Sequence, residues 1–178
     1  VAYADMQELD QWALGKLNSL VEKVTESYEN YEFHMIYHAI HNFCVVDMSN
    51  FYLDVVKDKL YTEKADSKKR RAVQTVMYTI LDALTRMLSP ILAFTSEEIW
   101  QFMPHRAQDD KRAVLYNDFP VAPNVNADEE FMAKWENLLA IKADVSKALE
   151  IARADKVIGH SLGAQITIYV NDEQKKVL

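Results

Sequence analysis

Apolar residues recur along the first thirty positions at Leu9, Trp12, Ala13, Leu17, Leu20, Val21, Val24 and Tyr28, with Glu and Lys between them. That i, i+3/i+4 spacing is one face of an amphipathic helix, predicted from Glu8 to about Glu29. The stretch YENYEF interrupts it, and a second apolar series runs from Phe33 to Tyr61. Within that series residues 42–61, NFCVVDMSNFYLDVVKDKLY, read as an α-helix. Its α-helical period puts Cys44, Met48, Phe51 and Val55, joined by Tyr52 and Val56, on a broad buried face. Asp47, Asn50, Asp54 and Lys57 or Asp58 form the polar stripe, with Asp54 and Lys57 placed to pair at i, i+3.

A polar stretch, TEKADSKKRR, leads into a third helix predicted from about Ser67 to Ser89, with Asp66 or Ser67 as its N-cap. Pro90 should end or kink it, because proline lacks an N–H and clashes with the preceding turn. Thr95 stands three residues before Glu98, the spacing of a capping box that would open a short fourth helix. Residues 104–128 hold three of the four prolines and read as a long connection over the bundle surface. A fifth helix is predicted from about Glu129 to Asp155, and the β-branched tail GAQITIYV reads as a strand. The expected fold is mostly α, an antiparallel helix bundle with a short C-terminal α/β extension. The expected division is 1–128, the bundle with its connection, and 129–178, a helix plus strand.

Composition supports the helical reading. Apolar residues make up 49% of 178, and only three glycines and four prolines interrupt them, too few for a many-turned β fold. The single cysteine excludes an internal disulfide and fits a reducing compartment. No run of about 18 apolar residues occurs and the first residues do not resemble a secretion signal. A soluble, cytoplasmic protein with no membrane partner is expected. The formal charge of −7 argues against a nucleic-acid partner, but residues 64–71, KADSKKRR, carry five cations against one aspartate. Clustering of this kind matters more than net charge.

Several residues invite chemistry. His34, His38 and His41 fall within about 60° on a helical projection and could share a zinc ion, with Cys44 a turn further on. Met35 stands where a metalloprotease would carry glutamate, so the histidines read as a polar face beside Tyr37 and Asn42. Cys44 sits among Phe43, Val45 and Val46, the surroundings of a buried small hydrophobe rather than a nucleophile. GHSLG at 159–163 imitates a hydrolase elbow, but it follows a helix where an elbow follows a strand. Glu97 and Glu98 are explained by capping. Lys68, Lys69, Arg70 and Arg71 are different: they occupy the first turn of the third helix, where cations oppose the helix dipole. A phosphate would meet both the exposed N–H groups and those charges.

The stretch NFCVVDMSNFYLDVVKDKLY resembles the second bundle helix of bacterial-type isoleucyl-tRNA synthetases, roughly N-F-x-x-x-D-x-S-x-F-Y-L-D-x-x-K-D-R-L-Y. Asn42, Phe43, Asp47, Ser49, Phe51, Tyr52, Leu53, Asp54, Lys57, Asp58, Leu60 and Tyr61 match, and Lys59 replaces the usual arginine. DQWALGKLNSL is similar to D-R-W-I-L-S-R-L-N, departing at Gln11, Gly15 and Lys16. SPILAFTSEEIW resembles an ending shared by the wider valyl, leucyl, isoleucyl and methionyl group, and KALEIARADKVIGHSLGAQI resembles the connection into the C-terminal region. Neither H-I-G-H nor K-M-S-K-S is present, although VIGH occurs at 157–160, and no C-x-x-C pair exists.

The resemblance implies an anticodon-binding helix bundle of a class I synthetase, a tRNA-binding module of the ligase that joins isoleucine to its tRNA. Alone it would be catalytically inactive, with no catalytic residue, no metal site and no cofactor of its own. ATP, magnesium and zinc belong to the parent enzyme. Its expected partners are the anticodon stem-loop of an isoleucine tRNA and the catalytic and C-terminal domains of the same polypeptide, in a monomer. The alternatives are a module of the valyl, leucyl or methionyl enzyme, or a helical scaffold that leaves RNA contact to a downstream domain. Candidate RNA-binding residues are Lys68, Lys69, Arg70 and Arg71 for phosphates, with Lys16 and Asn18 at the S-R-L-N position. Trp12 could stack on a base, but its place in the apolar series favours the core.

Overall fold

The computed structural model describes residues 1–123, 125, 127–171 and 175. The chain divides into two compact units, residues 1–126 and 127–178. In the first, α1 (Glu8–Glu29) follows a single 3-10 turn, Tyr3–Asp5. The side-chain amide of Gln11 ties that turn down by donating to Tyr3 O at 3.1 Å and Met6 O at 3.2 Å. The periodic residues of α1 do face inward: Trp12, Ala13, Leu17, Leu20, Val21 and Val24 are all buried. A short turn through Tyr31, whose φ of 58° is the left-handed conformation usual at a helix C-terminus, reverses the chain into α2 (Phe33–Asn42).

From Phe43 to Tyr52 the chain continues as a π-helix, before α3 (Leu53–Thr62) resumes α geometry. Bonding i to i+5 adds a residue to each turn, which rotates the buried face relative to an α-helix. The core positions are therefore Ile36, Ile40, Phe43, Met48, Tyr52 and Val56, with a five-residue step between Phe43 and Met48. The α-period expectation for 42–61 is corrected accordingly. Val55 is 45% exposed, and Cys44 and Phe51 are only partly covered.

Helix α4 (Lys68–Leu88) packs against α1 and α3, inserting Ala72, Val73, Val76, Ile80, Ala83 and Met87. It stops two residues before Pro90. Helix α5 (Ala93–Phe102) begins earlier than the Thr95 capping box predicts; its N-cap is Leu92 and no side chain caps it. Thr95 and Glu98 lie inside the helix, and the Leu92 carbonyl instead accepts from Ser96 N at 2.9 Å. Trp100 on α5 is 1% exposed and closes that end of the core.

The connection after α5 is irregular apart from one turn, Val114–Tyr116, but it is firmly attached. Tyr78 Oη donates to Pro104 O at 2.9 Å and Trp100 Nε1 to Asp110 O at 3.3 Å. The Val114 N–H donates to Glu97 Oε2 at 2.9 Å, so Glu97 holds the connection rather than capping a helix.

The second unit contains α6 (Glu129–Ala154), capped by Asp128 Oδ1, which accepts from Phe131 N at 2.8 Å. None of its residues is buried. Residues 164–171 have no regular secondary structure, so the strand expected at GAQITIYV is not formed and the chain has no α/β extension among the described residues. Alternation alone does not make a strand, which needs a neighbour to take its backbone hydrogen bonds. Ile166 and Ile168, on one side of the alternation, are 47% and 45% exposed, and Tyr169 on the other is 93% exposed. No described helix is long and apolar enough to cross a membrane.

Candidate nucleic-acid interface

Lys68 to Arg71 form the first turn of α4, with Ser67 at the N-cap. The Ser67 hydroxyl does not cap the helix; it donates to Glu63 Oε2 at 2.8 Å. Glu63 thereby becomes the anchor of this corner. Its carbonyl accepts from Arg70 Nη1 at 3.2 Å, and its carboxylate lies 4.0 Å from Lys69 Nζ. Lys68 Nζ pairs with Asp5 at 3.0 Å. The cations that oppose the α4 dipole are thus partly answered from within the chain. With Lys64 included, five cations face three carboxylates, Asp5, Glu63 and Asp66. Arg71 is exposed and has no acidic partner among the described residues, and the Nε of Arg70 is buried without an acceptor. Tyr61, on the last turn of α3 just before this corner, is 84% exposed. It is an exposed ring two residues before Glu63, and sequence reading missed it because it was counted in the apolar series.

Lys16 lies elsewhere. It stands on the face of α1 turned towards Asp47, 3.3 Å away, at the edge of a groove between α1 and α2. Lys16, Ser19 and Lys23 line one wall at i, i+3, i+7, and His38 and Asn42 the other. Burial pushes the Asp47 carboxyl above the usual carboxylate range, with the Lys16 ammonium pulling against it. Asn18 is not part of this groove: its side-chain amide donates to Glu22 Oε1 at 2.9 Å on another face of α1. Lys16 and Asn18, neighbours in a motif, are therefore not brought together. Lys23 is exposed and unpaired among the described residues, and its i+7 relation to Lys16 was the signal that could have found it.

Trp12 is core, 1% exposed, with its ring 5.2 Å from Phe51 in an edge-on contact. Among the described residues no three His, Cys, Asp or Glu side chains gather to hold a metal. His38 and His41 instead flank Tyr37, at ring distances of 5.3 and 5.6 Å. Burial raises the Cys44 thiol pKa, which disfavours the thiolate a nucleophile needs.

The first unit is an α-helical bundle that presents a cationic helix corner and exposed aromatic rings. The sequence model of the family described as "Anticodon-binding domain of tRNA ligase" matches residues 10–168. The chain belongs to that family. It is 50% identical over 171 residues to an isoleucine–tRNA ligase of Thermoanaerobacter sp., covering 96% of this chain and 18% of that protein. It is 52% identical over 168 residues to the isoleucine–tRNA ligase of Syntrophotalea carbinolica, covering 94% of this chain and 18% of that one. The Bacillus mycoides protein of the same name is 47% identical over all 178 residues, 19% of its own length. The chain thus spans less than a fifth of the relatives it matches.

Proposed function

We propose that the chain is the anticodon-arm binding module of an isoleucine–tRNA ligase, a cytoplasmic and monomeric enzyme that joins isoleucine to its tRNA with ATP. The observation that carries this reading is identity of about half, spread along nearly the whole chain, to proteins of that name. In this reading residues 1–128 hold the anticodon arm and 129–178 begin the junction with a C-terminal region, while catalysis and its cofactors reside in other parts of a longer polypeptide. Lys68, Lys69, Arg70 and Arg71 take phosphates of the arm at the α4 N-terminus, where helix N–H groups and side-chain charge act together. Tyr61, two residues before Glu63, offers a stacking surface. Lys16 and Asn18 are separate and weaker contacts, since each is already engaged by a neighbouring side chain.

The test is reversal of Lys68, Lys69, Arg70 and Arg71 to glutamate in the intact ligase. Affinity for isoleucine tRNA and the rate of charging should fall, while isoleucine-dependent pyrophosphate exchange, which needs no tRNA, should stay at the wild-type rate. Charging at the wild-type level would sink the assignment. It would favour a scaffold in which the lysines serve only their pairs with Asp5 and Glu63.

A further inference from the structure

The groove between α1 and α2 presents polar groups that the fold itself does not use. Lys16 pairs with Asp47 at 3.3 Å, and the Ser19 hydroxyl donates to Gly15 O at 3.4 Å. Lys23, His38 and Asn42 line the same groove and are exposed. Their side chains have no hydrogen-bond or ion-pair partner among the described residues.

The chain reverses between α1 and α2, so residue numbers rise along one wall as they fall along the other. The Lys16–Asp47 contact sets the level at which the walls meet. Seven residues on from Lys16 is Lys23, and seven back from Asp47 is Ile40, so these two are about level. His38 and Asn42 stand two residues to either side of Ile40, spaced i, i+4 on one helix face. The ammonium, the imidazole and the amide therefore converge, about 10 Å along α1 from Lys16. Asp47 is the only carboxylate in the lining, and it lies at the Lys16 end.

The floor beneath these donors is apolar. Leu20 and Phe43 are buried and Ala39 is half-buried. A floor of this kind keeps the local dielectric low and strengthens the pull of the rim charge on an anion. The groove measures about 260 Å³, below the roughly 300–1,000 Å³ of sites that enclose a small-molecule ligand. It has room for one compact group. Ammonium, imidazole N–H and amide N–H all donate, and a phosphate offers several acceptor oxygens and the charge to match.

We propose that Lys23, His38 and Asn42 form a site in the α1–α2 groove for one backbone phosphate of the bound RNA. The proposal rests on the tRNA-binding reading above and adds to it a contact apart from the basic corner. Lys23 is fifteen residues beyond the start of α1, about 22 Å along its axis, whereas Lys68 pairs with Asp5 just before that start. That span is more than twice the Debye length of about 8 Å at physiological salt. The two sites take different phosphates, and their losses should add in free energy.

Amine footprinting on the unaltered protein tests this directly. The intact ligase is treated briefly with N-hydroxysuccinimidyl acetate, with and without isoleucine tRNA, and acetylation of each lysine is read by mass spectrometry. Lys23 should acetylate readily in the free protein and lose most of that labelling when the tRNA is bound. Inorganic phosphate at millimolar concentration should leave it unprotected; protection equal to that by tRNA would make the groove a site for free anions and overturn the assignment to RNA. In parallel, Lys23→Gln should weaken tRNA binding about threefold and lower the log–log salt slope by about 0.7–0.9, while Lys23→Arg, which keeps the charge, should bind like the wild type. Asn42→Ala should weaken binding about twofold with the slope unchanged, because it removes a hydrogen bond and no charge. If Lys23 acetylates equally with and without tRNA, or Lys23→Gln leaves the slope unchanged, while the Lys68–Arg71 reversal still weakens binding, the groove site is wrong and the tRNA reading stands. If the wild-type ligase binds no tRNA and neither Lys23 nor Lys68 and Lys69 are protected, both fall.

Discussion

A carboxylate and a phenol at the centre of the bundle show what a single residue contributes here. Asp10 and Tyr52 are both fully buried, and Tyr52 Oη donates to Asp10 Oδ1 at 2.8 Å. The other oxygen of Asp10 is buried without a partner. Burial raises the Asp10 pKa, and the Tyr52 hydroxyl, Lys59 and the Gln7 backbone only partly oppose it. The unfolded carboxyl titrates near pH 4. A folded pKa above that value means the native state binds the proton more tightly, so this group's stabilisation is complete below about pH 4 and is lost as pH rises through the folded pKa. Asp10→Asn should remove that slope from a plot of unfolding free energy against pH. A variant with the wild-type slope would show that Asp10 does not set it. Tyr52→Phe should cost about 1–3 kcal/mol in urea denaturation at neutral pH, because the buried carboxylate loses its donor. Neither residue announced this role: Asp10 read only as the first letter of a motif and Tyr52 as an apolar position.

Helix α1 was legible because its apolar residues keep an α-helical period, and α4 because a polar N-cap stretch and Pro90 bound it. The segment 43–52 was not, because a π-helix changes the count per turn without any special residue to mark it. Its outcome, a core step from Phe43 to Met48, is visible only once neighbouring helices are in place. The connection after α5 was recognised as irregular, yet nothing in the sequence paired Arg86 with residues more than twenty positions away. Its guanidinium, 11% exposed, binds Asp82 and Asp109 at 2.9 Å each, donates to Asp118 O at 3.3 Å and lies 4.9 Å from the Trp100 ring centroid. Asp82 and Asp109 are 8% and 3% exposed, so removing Arg86 would strand two buried carboxylates with only Arg106, 3.4 Å from Asp82, nearby. Arg86→Met should therefore cost about 3–5 kcal/mol and speed amide exchange over 106–118 ahead of α1. Equal protection in variant and parent would mean the connection is held by other contacts. Burial alone would raise the Asp109 pKa, but the Arg106 N–H and the Arg86 guanidinium outweigh it and hold the carboxyl below its usual range. That stabilisation is present above about pH 4 and is lost as pH falls through the folded value, the opposite side of pH 4 from Asp10.

Over the whole molecule, a chain of net charge −7 is read as gripping a polyanion, and the cationic corner is where the two facts meet. Part of its charge is spent internally, on Asp5 at 3.0 Å from Lys68 and on Glu63 at 4.0 Å from Lys69. Both ion pairs are solvent-exposed, and such pairs contribute about 0–1 kcal/mol to stability, so their loss is tolerable to the fold. Their effect on RNA is larger, because each carboxylate competes with a phosphate for its lysine and repels the incoming backbone. Asp5→Asn and Glu63→Gln keep the shape and the acceptor oxygens that Ser67 and the surrounding turn use. The double variant should bind an anticodon stem-loop about two- to fivefold more tightly at low salt, because two cations are released to phosphates. The dependence of affinity on salt should steepen by up to about 0.7–0.9 in log–log slope per lysine freed. A scaffold would show no change in either quantity. If the double variant binds RNA more weakly than the parent, Asp5 and Glu63 position the lysines rather than competing for them. The corner would then read phosphate through fixed geometry instead of free charge.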